Sequence, residues 1–195
     1  MTMAALQSIW NGFLSAWIRF GTAVFPRTIH PMVLHFPIAL LYLAVLIEIF
    51  RYLVGREQNF LQRAGFWVLT LSLFAIAAAA ATGVLSEHYV RWTPQTAAML
   101  SKHQTFAVLT GLFAFLSWVV RLLSKTKPGQ WSVLGRGQGR ATILSSLLLV
   151  AATAMITITG SLGGSMVYHY GVGTPPTLIQ KGTLPSHTQA AVSGQ

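Results

Sequence analysis

Residues 30–53 read HPMVLHFPIALLYLAVLIEIFRYL, and this run decides the fold. From Val33 to Leu53 the chain is apolar except for His35, Glu48 and Arg51. It is long enough to cross a hydrocarbon core, which takes about 20 helical residues for about 30 Å. Three more runs match it: 64–85, a third ending near Leu123, and 141–167. Thr93 and Pro94 supply an N-cap and a first-turn proline, so the third helix is expected to begin at Pro94 and stand out of the membrane by a few turns. The fold class predicted is all-α, an integral membrane four-helix antiparallel bundle spanning 28–173.

Composition excludes most other classes. Hydrophobic residues make up 53% of the 195-residue chain and charged residues 8%, where soluble domains carry about a quarter charged residues. The 13 Lys and Arg stand against three acids. They lie in short gaps between apolar runs, which is a topology signal and not the basic face of a nucleic-acid binder. The absence of cysteine excludes disulfides, thiolate metal sites, iron–sulfur clusters and covalent c-type haem attachment. No nucleophile–base triad, phosphate loop or paired carboxylates are visible, so hydrolysis has no apparatus.

Outside the spans, residues 1–27 are expected to form an N-terminal amphipathic interfacial helix and a turn. Leu6, Ile9, Trp10, Phe13, Leu14, Trp17 and Ile18 recur at helical spacing among Gln7, Ser8, Asn11, Ser15 and Arg19. No positive segment precedes this apolar stretch, which argues against a signal peptide. Residues 174–195, rich in Gly, Pro, Thr and Ser, read as a flexible tail. Eight basic residues (Arg51, Arg56, Arg63, Arg121, Lys125, Lys127, Arg136, Arg140) fall on one side of the spans and five (Arg19, Arg27, Arg91, Lys102, Lys181) on the other. The first side is therefore expected to be cytoplasmic, with both termini in the periplasm and the protein in a bacterial inner membrane.

This topology puts all six histidines on the outer side. His30 and His35 open the first span, His88 follows the second, His103 lies on the outer part of the third, and His169 follows the fourth. Counting up from Arg51 and Arg121 puts His35 about 24 Å and His103 about 27 Å above the cytoplasmic end. Depth therefore pairs His35 with His103 and leaves His30 for His169. Small residues line both neighbourhoods: Ala107, Thr110, Gly111 and Ala114 below His103, and Ala154, Thr157, Gly160, Ser161 and Gly164 below His169.

Histidines on facing helices of a bundle suit one or two haem b groups, each iron taking two imidazole nitrogens. Arg27, Arg91, Lys102 and Tyr168 would then form a polar rim for the propionates. Two other readings stand beside this one. Met32, Met99 and Met166 near the histidines suit a copper-handling protein, and histidines that only hydrogen-bond between helices suit a structural subunit of a larger complex. Glu48, the acid within a span, is either a proton or quinone contact or the partner of Arg51 on the same helix face.

Four segments, IHPMVLHFPIALL, ATGVLSEH, HQTFAVLTG and GSLGGSMVYHYGVG, together resemble the bacterial four-helix membrane proteins grouped as domain of unknown function 2231. The resemblance covers about residues 28–173. It implies haem b binding at His30, His35, His103 and His169 and association with c-type cytochromes or other redox proteins. His88 stands where that pattern has no histidine. The function expected is that of a b-type cytochrome-like subunit, an electron-transfer component more than a stand-alone enzyme. It would pass electrons between a quinone or membrane complex and a periplasmic redox partner.

Overall fold

The computed structural model describes residues 2–54, 59–125 and 138–174. Its elements are α1 (Met3–Val24), α2 (Ile29–Val33), α3 (His35–Val54), α4 (Asn59–Glu87), α5 (Pro94–Lys125) and α6 (Gln138–Tyr168). Four candidate membrane spans result: Ile29–Val54, Phe60–Glu87, Pro94–Leu123 and Ile143–Tyr168. The expected all-helical architecture and its four spans are both present. The tail at 174–195, with Lys181 and His187, lies outside the described residues beyond Thr174, as do Arg56, Lys127 and Arg136.

The spans form a closed ring in which α3 packs on α4, α4 on α5, α5 on α6 and α6 back on α3. The α5 and α6 pairing is the most extensive. Each helix thus lies beside its neighbours in sequence, the arrangement short connections favour in an up-down bundle. Leu41, Ala44, Leu69, Ala114, Leu149, Ala152 and Ile156 fill the centre. Hydrogen bonds cross the seams between these spans. Trp118 Nε1 donates to Thr70 Oγ1 at 3.0 Å, Tyr42 and Thr157 share hydroxyls at 2.8 Å, and Ser117 Oγ donates to the Ser145 carbonyl at 2.8 Å. Between helices already surrounded by apolar solvent, such bonds and close packing hold the bundle together.

Large apolar side chains meanwhile point outward. Leu46, Phe50, Leu53, Phe60, Trp67, Phe74, Val108, Phe115 and Leu147 are all exposed. Only 17–33% of each span's apolar window is buried, so most of the apolar surface faces away from the protein core. On a water-soluble body an exposed apolar belt of this extent is not tolerated; on a bilayer-spanning one it is the solvent contact.

Local chemistry sets the helix ends. Pro37 has no N–H to give the Val33 carbonyl, and the helix breaks there, between Val33 and His35. At the start of α5, Thr93 and Thr96 cap each other. The Thr96 N–H donates to Thr93 Oγ1 at 3.2 Å, and the Thr93 N–H donates to Thr96 Oγ1 at 2.9 Å. This is a reciprocal capping box with a hydroxyl in place of the usual carboxylate. Gly171 ends α6 with φ of 64°, a left-handed conformation that glycine adopts without strain.

α1 touches the bundle only at its C-terminal end. Trp17 Nε1 donates to the Ala81 carbonyl at 3.0 Å, and Gly21 sits so close to Leu85 that a Cβ there would stand 2.8 Å from Leu85 Cδ2. Leu6, Ile9, Trp10, Phe13 and Phe20 are left exposed.

Candidate functional site: a histidine pair at one end of the bundle

His30 of α2 and His103 of α5 meet inside the ring. Their ring centroids are 6.5 Å apart and their planes stand at 80° to each other. Each ring is held at Nδ1 by a backbone carbonyl of the helix beside it. His30 Nδ1 lies 3.1 Å from the Ala79 carbonyl oxygen and 3.3 Å from Thr82 Oγ1. His103 Nδ1 lies 2.9 Å from the Thr159 carbonyl oxygen. A carbonyl only accepts, so Nδ1 carries the proton in both rings, and in the neutral ring Nε2 keeps its lone pair. Anchoring one nitrogen through a carbonyl is how proteins orient an imidazole that uses the other.

A glycine lies one turn beyond each of these carbonyls. A Cβ on Gly83 would stand 3.3 Å from His30 Cε1, and one on Gly163 would stand 3.4 Å from His103 Cε1. The two halves of the bundle thus use the same device. A histidine near the start of one helix docks on a carbonyl and a glycine four residues apart on the next, Ala79 with Gly83 and Thr159 with Gly163.

The other sequence-predicted residues are not gathered here. His35 and His169 are exposed, as are Arg91 and Lys102, and Tyr168 is 88% exposed. Arg27, also exposed, lies over the Tyr89 ring with 5.4 Å from Cζ to the centroid. His88 is exposed beside Tyr89. Depth along the helices pairs His35 with His103, whereas the ring that meets His103 is His30. The difference arises at the other end of the bundle. Counting depth from the arginines sets Arg51 level with Arg121, but Arg121 Nη2 donates to Glu48 Oε2 at 3.2 Å, so Glu48 marks the common level. His30 is eighteen residues from Glu48, and His103 is eighteen residues from Arg121.

The same interval recurs on the other two helices. Gly65, beside Arg121 Nη1, is eighteen residues before Gly83, and Ser145, bonded to Arg121, is eighteen before Gly163. Eighteen residues are five full turns, about 27 Å. Four helices therefore return the same face to the axis at two polar layers, separated by roughly the thickness of a hydrocarbon core of about 30 Å. Periodicity alone marks faces; which face meets which partner came from the Glu48 and Arg121 ion pair. Gly83 lies in ATGVLSEH and Gly163 in GSLGGSM, within two of the segments that carry the family resemblance. Spacing from the sequence places the small face of α6 on Gly160 and Gly164. Gly160 instead faces Ile38 of α3, and a Cβ on Gly164 would meet nothing within 4 Å.

The lower layer is a buried ion cluster. Glu48 accepts from Arg51 Nη2 and Ser146 Oγ on one oxygen and from Arg121 Nη2 on the other. Arg121 Nε also donates to Ser145 Oγ at 2.6 Å. Glu48 is thus paired with Arg51 on its own helix, as expected from their spacing, and with Arg121 across the bundle.

A family model described as a predicted membrane protein, DUF2231, matches residues 26–176. The chain belongs to this family. The match covers both polar layers and leaves α1 outside it. Comparison of this DUF2231 chain with curated proteins and with solved structures gave no match. Among its described residues, no group of three or more His, Asp or Glu side chains comes together as a metal-ion site. The chemistry on offer is two oriented imidazoles from opposite halves of a bundle.

Proposed function

We propose that this protein is a b-type cytochrome-like membrane subunit in which His30 and His103 hold the iron of one haem b. The observation that carries the reading is the pair of rings 6.5 Å apart with both Nδ1 atoms tied to carbonyls. Metal–imidazole bonds of about 2.0–2.1 Å on opposite sides of an ion put the ring centroids roughly 6–6.5 Å apart. Two ligands suffice for a haem iron, whereas zinc sites take three or four protein ligands, so the donor set fits haem better. Copper draws less support, because Met32, two residues from His30, is exposed, although Met166 is buried.

Haem held in this way supplies a one-electron carrier. The chain's own part is to fix the imidazoles, through Ala79, Thr82 and Thr159, and to keep the pair in an apolar bundle. With the basic end cytoplasmic, the pair lies towards the periplasmic face of a bacterial inner membrane and both termini lie outside. α1 would then lie in the outer interface. Arg27, Arg91, Lys102 and Tyr168 lie at or near that end of the spans, where propionates need polar company. Electrons would pass between a quinone or membrane complex and a c-type cytochrome or other periplasmic redox protein. His35 and His169, which are exposed, remain ligand candidates for a second haem only if a partner covers them.

The test is the visible spectrum of the purified full-length protein. Reduced α and Soret bands with haem b released by acid acetone are expected, and His30→Ala or His103→Ala removes them while His169→Ala does not. A folded, colourless, iron-free preparation overturns the proposal. Loss of the bands in His35→Ala with retention in His30→Ala overturns the pairing.

A further inference from the structure

The ion cluster at the other end of the bundle is unused by this reading, and its charges do not cancel. Two guanidiniums, Arg51 and Arg121, share the single carboxylate of Glu48. Arg51 is 6% exposed and its Nε is buried with no hydrogen-bond partner. An unpaired donor and a surplus positive charge inside a membrane are costly, so such groups face a ligand or pathway. Beside the cluster, Leu46, Ile47, Ile49, Phe50, Leu53 and Leu61 line an open apolar groove between α3 and α4. Ile47 is the wall between groove and cluster. A Cβ on Gly65 would touch both Ile47 Cγ2, at 3.4 Å, and Arg121 Nη1, at 3.2 Å.

We propose that this end of the bundle binds an anionic phospholipid, its phosphate meeting Arg51 and Arg121 and an acyl chain lying in the α3 and α4 groove. Charge and shape agree on that occupant. The cluster offers a net positive charge one turn from the end of α3, where headgroups lie, and the groove offers a strip as apolar as an acyl chain. The whole end is basic, with eight Lys and Arg against Glu48 and Glu57. Basic pockets between spans on the cytoplasmic side are sites for anionic headgroups. A quinone head group is the competing ligand, but it would stand about 27 Å along the bundle from the histidine pair, too remote to serve it directly. The lipid site is independent of whether haem is bound.

The test uses full-length protein in membranes of equal phosphatidylglycerol and phosphatidylcholine, stripped with detergent, with retained lipid counted by native mass spectrometry. Phosphatidylglycerol should be retained about fivefold over phosphatidylcholine, the preference expected of one uncompensated basic residue. Arg51→Gln should bring the ratio towards one. Arg63→Gln, an exposed arginine at the same end, should leave it unchanged. Leu53→Trp, which fills the exposed groove without altering charge, should lower retention even if Arg51→Gln fails to fold. Equal retention by the wild type overturns the proposal, as does an Arg63→Gln loss as large as that of Arg51→Gln or full retention in Leu53→Trp. Displacement of the lipid by excess inorganic phosphate identifies a free-anion site instead and also overturns it.

Discussion

Gly163 and Gly164 are adjacent on α6 and chemically identical, yet a methyl group on the first would stand 3.4 Å from His103 Cε1 and on the second would meet nothing within 4 Å. Alanine in a helix interior is favoured over glycine by about 1 kcal/mol. Gly164→Ala should therefore raise thermal stability in detergent and leave the visible spectrum alone. Gly163→Ala should gain less stability, because the imidazole must give way, and should shift or weaken the bands of the haem proposed above. The matching substitution on α4, Gly83→Ala, should act on His30 in the same way. Equal behaviour of Gly163→Ala and Gly164→Ala in both measurements would show that the close approach has no consequence. At the other layer, Glu48 is 7% exposed and is shared by two guanidiniums, the buried Arg51 and the half-buried Arg121. Removing one partner of a buried ion pair costs about 3–5 kcal/mol, because the remaining charge stays unpaired. Glu48→Ala should lower the unfolding midpoint accordingly, and adding Arg121→Leu in the same chain, which removes one of the charges left unpaired, should recover part of the loss.

At the scale of elements, the spans were legible because a bilayer demands long apolar helices and the chain has four of them. The cap of α5 was legible too, since Thr93 and Pro94 carry their own local chemistry. Only part of it could be read: the hydroxyl of Thr96 completes the box, where a carboxylate or amide is the usual signal. Thr96→Ala removes both its acceptor role and a buried hydroxyl, and should destabilise the protein by about 1 kcal/mol, seen as earlier unfolding of the outer end of α5 by amide exchange. Thr96→Ser should be close to neutral. Register between helices was not legible. Periodicity places His30 and His35 about 140° apart on one helix, but whether the first or the second faces α5 depends on a long-range ion pair three residues away from the level assumed. The N-terminal helix shows the same limit: its amphipathic spacing predicts a helix, and the contact of Gly21 with Leu85 is a tertiary fact that spacing does not contain.

For the molecule as a whole, the two polar layers face opposite ends of a bundle whose loops differ in charge. If the layer holding Glu48, Arg51 and Arg121 is cytoplasmic, the histidine pair opens towards the other compartment, and any redox partner must come from there. The assignment rests on eight basic residues against five, counted in segments near the span ends where they control insertion. The chain has no cysteine, so single cysteines report position without background. Val90→Cys, between the second and third spans, and Thr174→Cys, after the fourth, should both react with a membrane-impermeant maleimide in intact cells. Glu57→Cys, between the first and second spans, should react only after the membrane is opened. Because the number of spans between Val90 and Thr174 is even, these two must agree with each other in any orientation of a four-span bundle. Opposite labelling of Val90→Cys and Thr174→Cys would break the four-span topology itself. Labelling of Glu57→Cys alone in intact cells would keep the bundle and invert it, placing the histidine pair on the cytoplasmic side and any redox partner with it.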